Sequence, residues 1–264
     1  MEIEGKNIFL DIGDIPILKG ANFTFCPGKL YALVGKNGAG KSTFLKFIRG
    51  YHSTFNGELI LDGNVVARET GITREIFTRM AYLPQDPTLS ILGTTVAEEC
   101  ILKMENLNIA PATMDELLIQ SLTRSNLWDK RDYKVDWLSG GELQKLAFCT
   151  IMLGEPEVLL LDEPTSMLDS KSRIEFLQLL LDWQRQAGRL VIFISHYYEE
   201  LIMATHIYHL DDCSLKEQTL KKYLESLKGT GAQKYKPELL SLLSLAKSKK
   251  LIFPREFRQW MRNL

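Results

Sequence analysis

The sequence predicts an α/β protein with a mostly parallel sheet core. Antiparallel strands precede that core at the N-terminal end, and a helical subdomain is inserted into it. Three observations predict this. The apolar runs "KLYALVG", "EVLLLDEP" and "RLVIFISH" read as buried strands and alternate with helical segments. The first run leads directly into "KNGAGKST", a glycine-rich loop that opens a helix. Between Gln85 and Leu138 the pattern is helical without strands, so this stretch reads as an insertion.

In order along the chain, "ILKGANFTF" alternates loosely and reads as a strand, and "KLYALVG" follows as a buried one. A helix is expected over 41–49. "GELILDG" reads as a strand with turn signals at both ends, and "MAYLPQ" as a short strand stopped by Pro84. Residues 94–128 are helical in pattern. A helix from near Ser139 to Leu153 starts on a capping box, with Ser139 and Glu142 in S-x-x-E spacing. "DSKSRIEFLQLLLDWQRQ" is amphipathic, with Asp169 or Ser170 available as N-cap. The expected division is one α/β domain over 1–227, its helical subdomain at about 86–155, and a basic helical extension over 228–264.

Bulk properties narrow the function classes. The chain has 264 residues and a net charge of −1, but from Lys216 onward 12 Lys/Arg face 4 Asp/Glu. The remainder is therefore acidic, which disfavours a nucleic-acid partner. The basic tail reads as a solvated helical face or as a surface for an acidic partner. Cys26, Cys100, Cys149 and Cys213 lie far apart without a CxxC pair, against a zinc site or a disulfide framework. "MEIEGKNIFLDIGD" lacks the basic-then-apolar pattern of a signal peptide. No apolar run reaches the roughly 20 residues that span a bilayer.

Gly35, Gly40, Lys41 and Ser42 fit G-x-x-x-x-G-K-S, the Walker A pattern. Residues Gly35, Asn37, Gly38, Ala39, Gly40, Lys41, Ser42 and Thr43 are the candidate ATP-binding loop. Bare backbone lets N–H groups curl around a phosphate, and the helix N-terminus adds partial positive charge. Lys41 is expected on the β- and γ-phosphates and Ser42 on Mg²⁺. "VLLLDEP" then delivers two acids to the carboxyl edge of a buried strand, where α/β sheets place ligands. Asp162 suits indirect Mg²⁺ coordination. Glu163 suits general-base work on the water that attacks the γ-phosphate.

"WLSGGELQK" adds Leu138, Ser139, Gly140, Gly141 and Glu142, a second set of glycines and a serine at a helix N-terminus. With this stretch the chain resembles the nucleotide-binding subunits of ATP-binding-cassette (ABC) transporters. The resemblance covers about residues 1–225 and implies a P-loop NTPase cassette that binds ATP and Mg²⁺. It implies that the 138–142 signature serves the nucleotide of the opposite subunit, in a head-to-tail dimer around two ATP. Gln85 in "YLPQ" resembles the Q-loop glutamine, on Mg²⁺ or the attacking water. Asp169 in "SMLD" resembles the D-loop acid at the dimer interface. His196, closing "VIFISH", resembles the switch histidine on the γ-phosphate. His52, His206 and His209 receive no role. The family's adenine-stacking aromatic is matched here by Ile12, with Phe9 the nearest aromatic.

The stretch from "YLPQDPTLSILGTTVAEEC" and the tail "PELLSLLSLAKSKKLIFP" are similar to energy-coupling-factor importer ATPases. That likeness implies an integral membrane transport subunit as partner, a peripheral position on the cytoplasmic face of the membrane, and uptake of a vitamin or transition metal. A second class stays open, that of soluble ABC ATPases without a membrane partner, acting on ribosome or DNA. Leu89, Ile91 and Leu92 have two readings: core of the helical subdomain, or a surface groove gripping a helix of the membrane subunit.

Overall fold

The computed structural model describes residues 1–52, 54–66, 72–201, 203–219 and 222–223. The basic extension over 228–264, with its apolar stripe Leu239, Leu242, Leu243 and Leu245, lies outside the described residues.

Strands β1 (Ile3–Ile12) and β2 (Ile15–Phe25) form a hairpin that turns at Gly13, with φ +60°. Together with β4 (Asn56–Leu61) and β5 (Asn64–Val65) they make a four-stranded antiparallel sheet in the order β2-β1-β4-β5. The second sheet holds β3 (Leu30–Val34), β6 (Met80–Leu83), β7 (Val158–Asp162), β8 (Leu190–Ile194), β9 (His206–Asp211) and β10 (Ser214–Gln218). Its order is β10-β9-β3-β8-β7-β6, parallel except for the β9–β10 hairpin.

Register positions the site. Leu83, Leu161, Phe193, Ala32 and Ile207 lie in one row across the sheet. Within two or three residues beyond that row, β6, β7, β8 and β3 have left the sheet at the same edge. Gln85, Glu163, His196 and Gly35 all emerge there, which is where parallel sheets place ligands.

Every residue of β3, β7 and β8 up to this edge is buried, so both faces are covered. Alternate residues serve two cores. Ala32, Leu159, Leu161 and Phe193 pack toward α5 (Gly140–Met152) and α6 (Ser170–Ala187). Tyr31, Leu33, Leu160 and Ile192 pack toward the first sheet and α1 (Lys41–Arg49). Helix α1 buries Phe44, Leu45, Phe47 and Ile48 completely between the two sheets. Each such side chain contributes about 1.5–3 kcal/mol, so the helix that carries the phosphate loop is firmly seated. The short α2 (Arg74–Thr78) precedes β6, and α7 (Tyr198–Leu201) follows β8.

A third cluster fills the helical layer between β6 and β7. Val96 and Cys100 of α3 (Val96–Asn106), Leu122 of α4 (Pro111–Arg124), Leu127, and Leu146 of α5 make its floor. Thr95 and Glu98 close a capping box on α3, and Pro111 opens α4 where no N–H is needed. The expected helix over 41–49 coincides with α1. Ser139 and Glu142 form the expected capping box on α5, and Asp169, not Ser170, caps α6. The β9–β10 hairpin and α2 were not expected. Neither was an antiparallel bridge between Thr95 and Lys134, inside the stretch read as free of strands.

Candidate active site

The loop from β3 to α1 has the geometry an oxyanion needs. Gly35 (φ +152°), Gly38 (φ +78°) and Gly40 (φ +95°) all lie where L side chains are strained. A Cβ on Gly35 would collide with the carbonyl oxygen of Leu210, and one on Gly40 would meet Ile17 Cγ2 at 2.6 Å. Gly38 faces open space. Gly40 caps α1 without any side-chain acceptor, and no acidic residue sits in the first turn. The first N–H groups of α1 and its dipole are thus free for an external anion.

Lys41 is buried, and its Nζ donates to the carbonyls of Gly35 and Lys36, both at 2.9 Å. An ammonium has three protons, which leaves one for a phosphate oxygen. Burial lowers the pKa of Lys41, and the charges of Glu163 and Asp162 oppose that shift. A phosphate bound here restores the counter-charge that burial withholds. Asn37 and Gly38 lie exposed at the loop tip, while Ala39 and Thr43 are half-buried.

Opposite the loop, Ser42 Oγ donates to Asp162 Oδ1 at 3.0 Å. Tyr82 Oη donates to Asp162 Oδ2, also at 3.0 Å, so both carboxylate oxygens are held. The donor set facing the loop is a hydroxyl and a carboxylate, hard oxygens with few protein ligands, which fits Mg²⁺ bound chiefly through water and phosphate. Among the described residues no cluster of three or more His, Cys, Asp or Glu could bind a metal without such help.

Glu163 sits at φ +46°, a left-handed conformation that costs a non-glycine residue roughly 1–3 kcal/mol. Its N–H donates to the Ile194 carbonyl at 3.2 Å, which fastens the turn to the end of β8. Gln85 Nε2 donates to Glu163 Oε2 at 3.2 Å, and His196 Nε2 lies 3.3 Å from Oε1. The glycine loop, Asp162, Glu163, Gln85 and His196 therefore converge at one sheet edge.

Other candidates lie elsewhere. Ile12 is 37% exposed at the β1–β2 turn, and the side chain that meets the phosphate loop from this hairpin is Ile17. Of the signature residues, Gly140 lies beside Met167 and Gly141 beside Leu168 and Ser172 of their own chain; Leu138 packs on the third core cluster, and Ser139 and Glu142 bond each other. The carboxylate of Asp169 accepts from the N–H groups of Lys171 and Ser172, both at 2.9 Å. Glu142 pairs with Lys130 at 2.6 Å. Tyr82 is the participant that sequence reasoning missed. The short strand "MAYLPQ" put Tyr82 near the same edge, but nothing in the sequence paired it with Asp162.

The family model for ABC transporters matches residues 18–166. The energy-coupling factor transporter ATP-binding protein EcfA1 of Mesomycoplasma hyopneumoniae is 31% identical over 191 residues, covering 72% of this chain and 70% of that protein. The corresponding protein EcfA of Pediococcus pentosaceus is 30% identical over 239 residues, covering 88% of this chain and 85% of that one. Among solved structures, cbiO1 from Clostridium perfringens, part of the ABC transporter complex cbiONQ, superposes with a TM-score of 0.76 at 21% identity. The match covers 93% of this chain and 98% of cbiO1, and at that identity it speaks for the fold.

Proposed function

The chain belongs to the ABC transporter family and is an ATPase of that family; from this premise we propose that it is the ATP-hydrolysing subunit of an importer. In this reading it dimerises head-to-tail around two ATP and drives an integral membrane subunit for uptake of a vitamin or transition metal. Its relatives named for energy-coupling factor transporters support the class of transporter. No helix among the described residues is long and apolar enough to cross a membrane. The reading of the chain as peripheral, on the cytoplasmic face, rests on its relatives named as ATP-binding proteins of transporters.

The observation that carries the chemistry is the grip on Glu163 from two sides. One oxygen is bonded by Gln85 and the other faces His196. A carboxylate so held polarises the attacking water and receives its proton. Lys41 and the N-terminus of α1 bind the phosphates. Ser42 and Asp162, with Gln85, would hold Mg²⁺, which when bound neutralises charge on the β- and γ-phosphates. His196 and Gln85 keep the base aimed at the γ-phosphate.

Dimerisation is supported by the signature's surroundings. Trp137 and Met167 are 67% and 55% exposed beside Gly140, an apolar rim around the α5 N-terminus. A second chain is read as presenting its nucleotide there. The helical subdomain at about 86–155 is the part proposed to face the membrane subunit.

Glu163→Gln keeps shape and removes the base. It is expected to bind ATP, lose steady hydrolysis and accumulate as an ATP-bound dimer by size-exclusion chromatography. Turnover near the parental rate sinks the assignment. Co-purification with the membrane fraction, against co-sedimentation with ribosomes, separates the importer from a soluble ABC ATPase.

A further inference from the structure

Two loops supply the groups around the γ-phosphate position, and they are clasped together beneath the site. After Glu163 the chain runs through Thr165, Ser166 and Leu168 to Asp169. After β8 it runs through Ser195, His196 and Tyr197 to Glu200. Thr165 is fully buried, and its hydroxyl donates to Oε1 of Glu200, itself only 1% exposed. Arg173, on the first turns of α6, lies across both loops. Its Nε is 4.0 Å from Glu200 Oε1, and its Nη2 donates to the Leu168 carbonyl at 3.2 Å. Its guanidinium covers the Tyr197 ring at 3.7 Å. Tyr197 Oη in turn reaches the Ser166 carbonyl at 3.5 Å.

Burying a carboxylate is costly unless charge and hydrogen bonds compensate it. Here both compensating groups come from the Glu163 loop and the helix that follows it, while Glu200 belongs to the His196 loop. The β8 strand ends at Ile194, so strand pairing does not continue through His196. The His196 side chain lies 3.3 Å from Glu163, two residues beyond the last strand pair.

We propose that Glu200, Thr165 and Arg173 form a clasp that positions the Glu163 and His196 loops as one unit. The proposal rests on the reading of Glu163 and His196 as the hydrolytic pair. Glu200 and Thr165 are positioning residues in this proposal, since they act on Glu163 and His196 through the loops that carry them. Through Arg173, which binds the Leu168 carbonyl beside Asp169, the same clasp ties the D-loop to the histidine. Rearrangement of 166–169 at a dimer interface is then felt at His196.

The test uses the full-length chain and four variants. Thr165→Val keeps the shape and removes the donor. Thr165→Ser keeps the donor. Glu200→Gln keeps volume and an acceptor but drops the charge facing Arg173. Glu163→Gln is the control for the site itself. Thr165→Val is expected to lower kcat by about tenfold or more, the scale of a small misplacement of catalytic groups. Its KM for ATP should stay close to parental, while its melting temperature falls by a few degrees because the buried Glu200 carboxylate loses a donor. Thr165→Ser is expected to restore kcat. Glu200→Gln is expected to lose severalfold in kcat with unchanged melting, and it carries the test should Thr165→Val not fold. Parental kcat in Thr165→Val or Glu200→Gln, beside a dead Glu163→Gln, overturns the clasp alone. Loss of ATP affinity in step with kcat also overturns it, because that marks a general loss of structure and not a misplacement of Glu163 and His196. Normal turnover in Glu163→Gln overturns the site reading, and the clasp with it.

Discussion

His196 Nε2 lies 3.3 Å from Oε1 of Glu163, on the oxygen that Gln85 does not bind. The two side chains share the carboxylate without competing for it. A carboxylate held at both oxygens keeps its orientation, as the proposed role of Glu163 as base requires.

Removal of one holder should therefore damage the chemical step more than binding. His196→Ala is expected to lower kcat by about a hundredfold, within the range for positioned acid–base groups. ATP affinity by calorimetry should change little. A parental kcat, or an equal loss in affinity, contradicts this arrangement.

Lys41→Ala removes the buried charge at the centre of the phosphate loop. Hydrogen bonds to charged groups are worth about 1.5–3 kcal/mol, so affinity for ATP should fall about tenfold to a hundredfold. Calorimetry at moderate salt measures this. Unchanged affinity removes the loop from nucleotide binding.

Leu89 and Leu92 are 77% and 79% exposed, whereas Ile91 between them packs against two of the three cores. Beside them a cleft of about 580 Å³ is lined by Thr88, Ile91, Gly93, Thr94, Val135 and Leu138. Leu89→Glu or Leu92→Glu should leave folding within about 0.5 kcal/mol of parental and abolish capture of the membrane subunit in a pull-down. Ile91→Glu should lower the melting temperature instead. Folded Leu89 and Leu92 variants that still capture the partner place its grip elsewhere.

The acid limb of stability depends on Glu157. A hydrogen bond from the Arg79 guanidinium holds its carboxyl at about 2, against an ordinary 4.5. The folded pKa is depressed, so the stabilisation is complete above the unfolded value and is lost as pH falls toward 2. Arg79→Ala should lower the melting temperature by about 2–4 °C at neutral pH, with the difference shrinking between about pH 5 and pH 2. Parallel melting curves across that window rule the contact out.

Local features of this protein were legible in its sequence because their causes are local. The phosphate loop needs three glycines and a lysine at fixed spacing. The α5 capping box needs Ser139 and Glu142 three apart. The buried strands announce themselves as unbroken apolar runs that end in glycine, acids or histidine. Groups joined across the fold carry no such mark. Tyr82 reaches Asp162 from 80 residues away, and Glu200 reaches Thr165 from 35. Each pair exists only because parallel register brings separate strand ends to one edge. The β9–β10 hairpin was hidden for another reason. It turns on Asp212 and Cys213, both at positive φ, without the glycine that usually signals such a turn. The docking of Cys213 on β2, with its carbonyl accepting from Lys19 N–H at 2.9 Å, holds that strained turn in place. The fate of Leu89, Ile91 and Leu92 was likewise left to packing. Three apolar residues within four positions look alike in sequence, and only the helical layer's shape buries the middle one and leaves its neighbours facing outward.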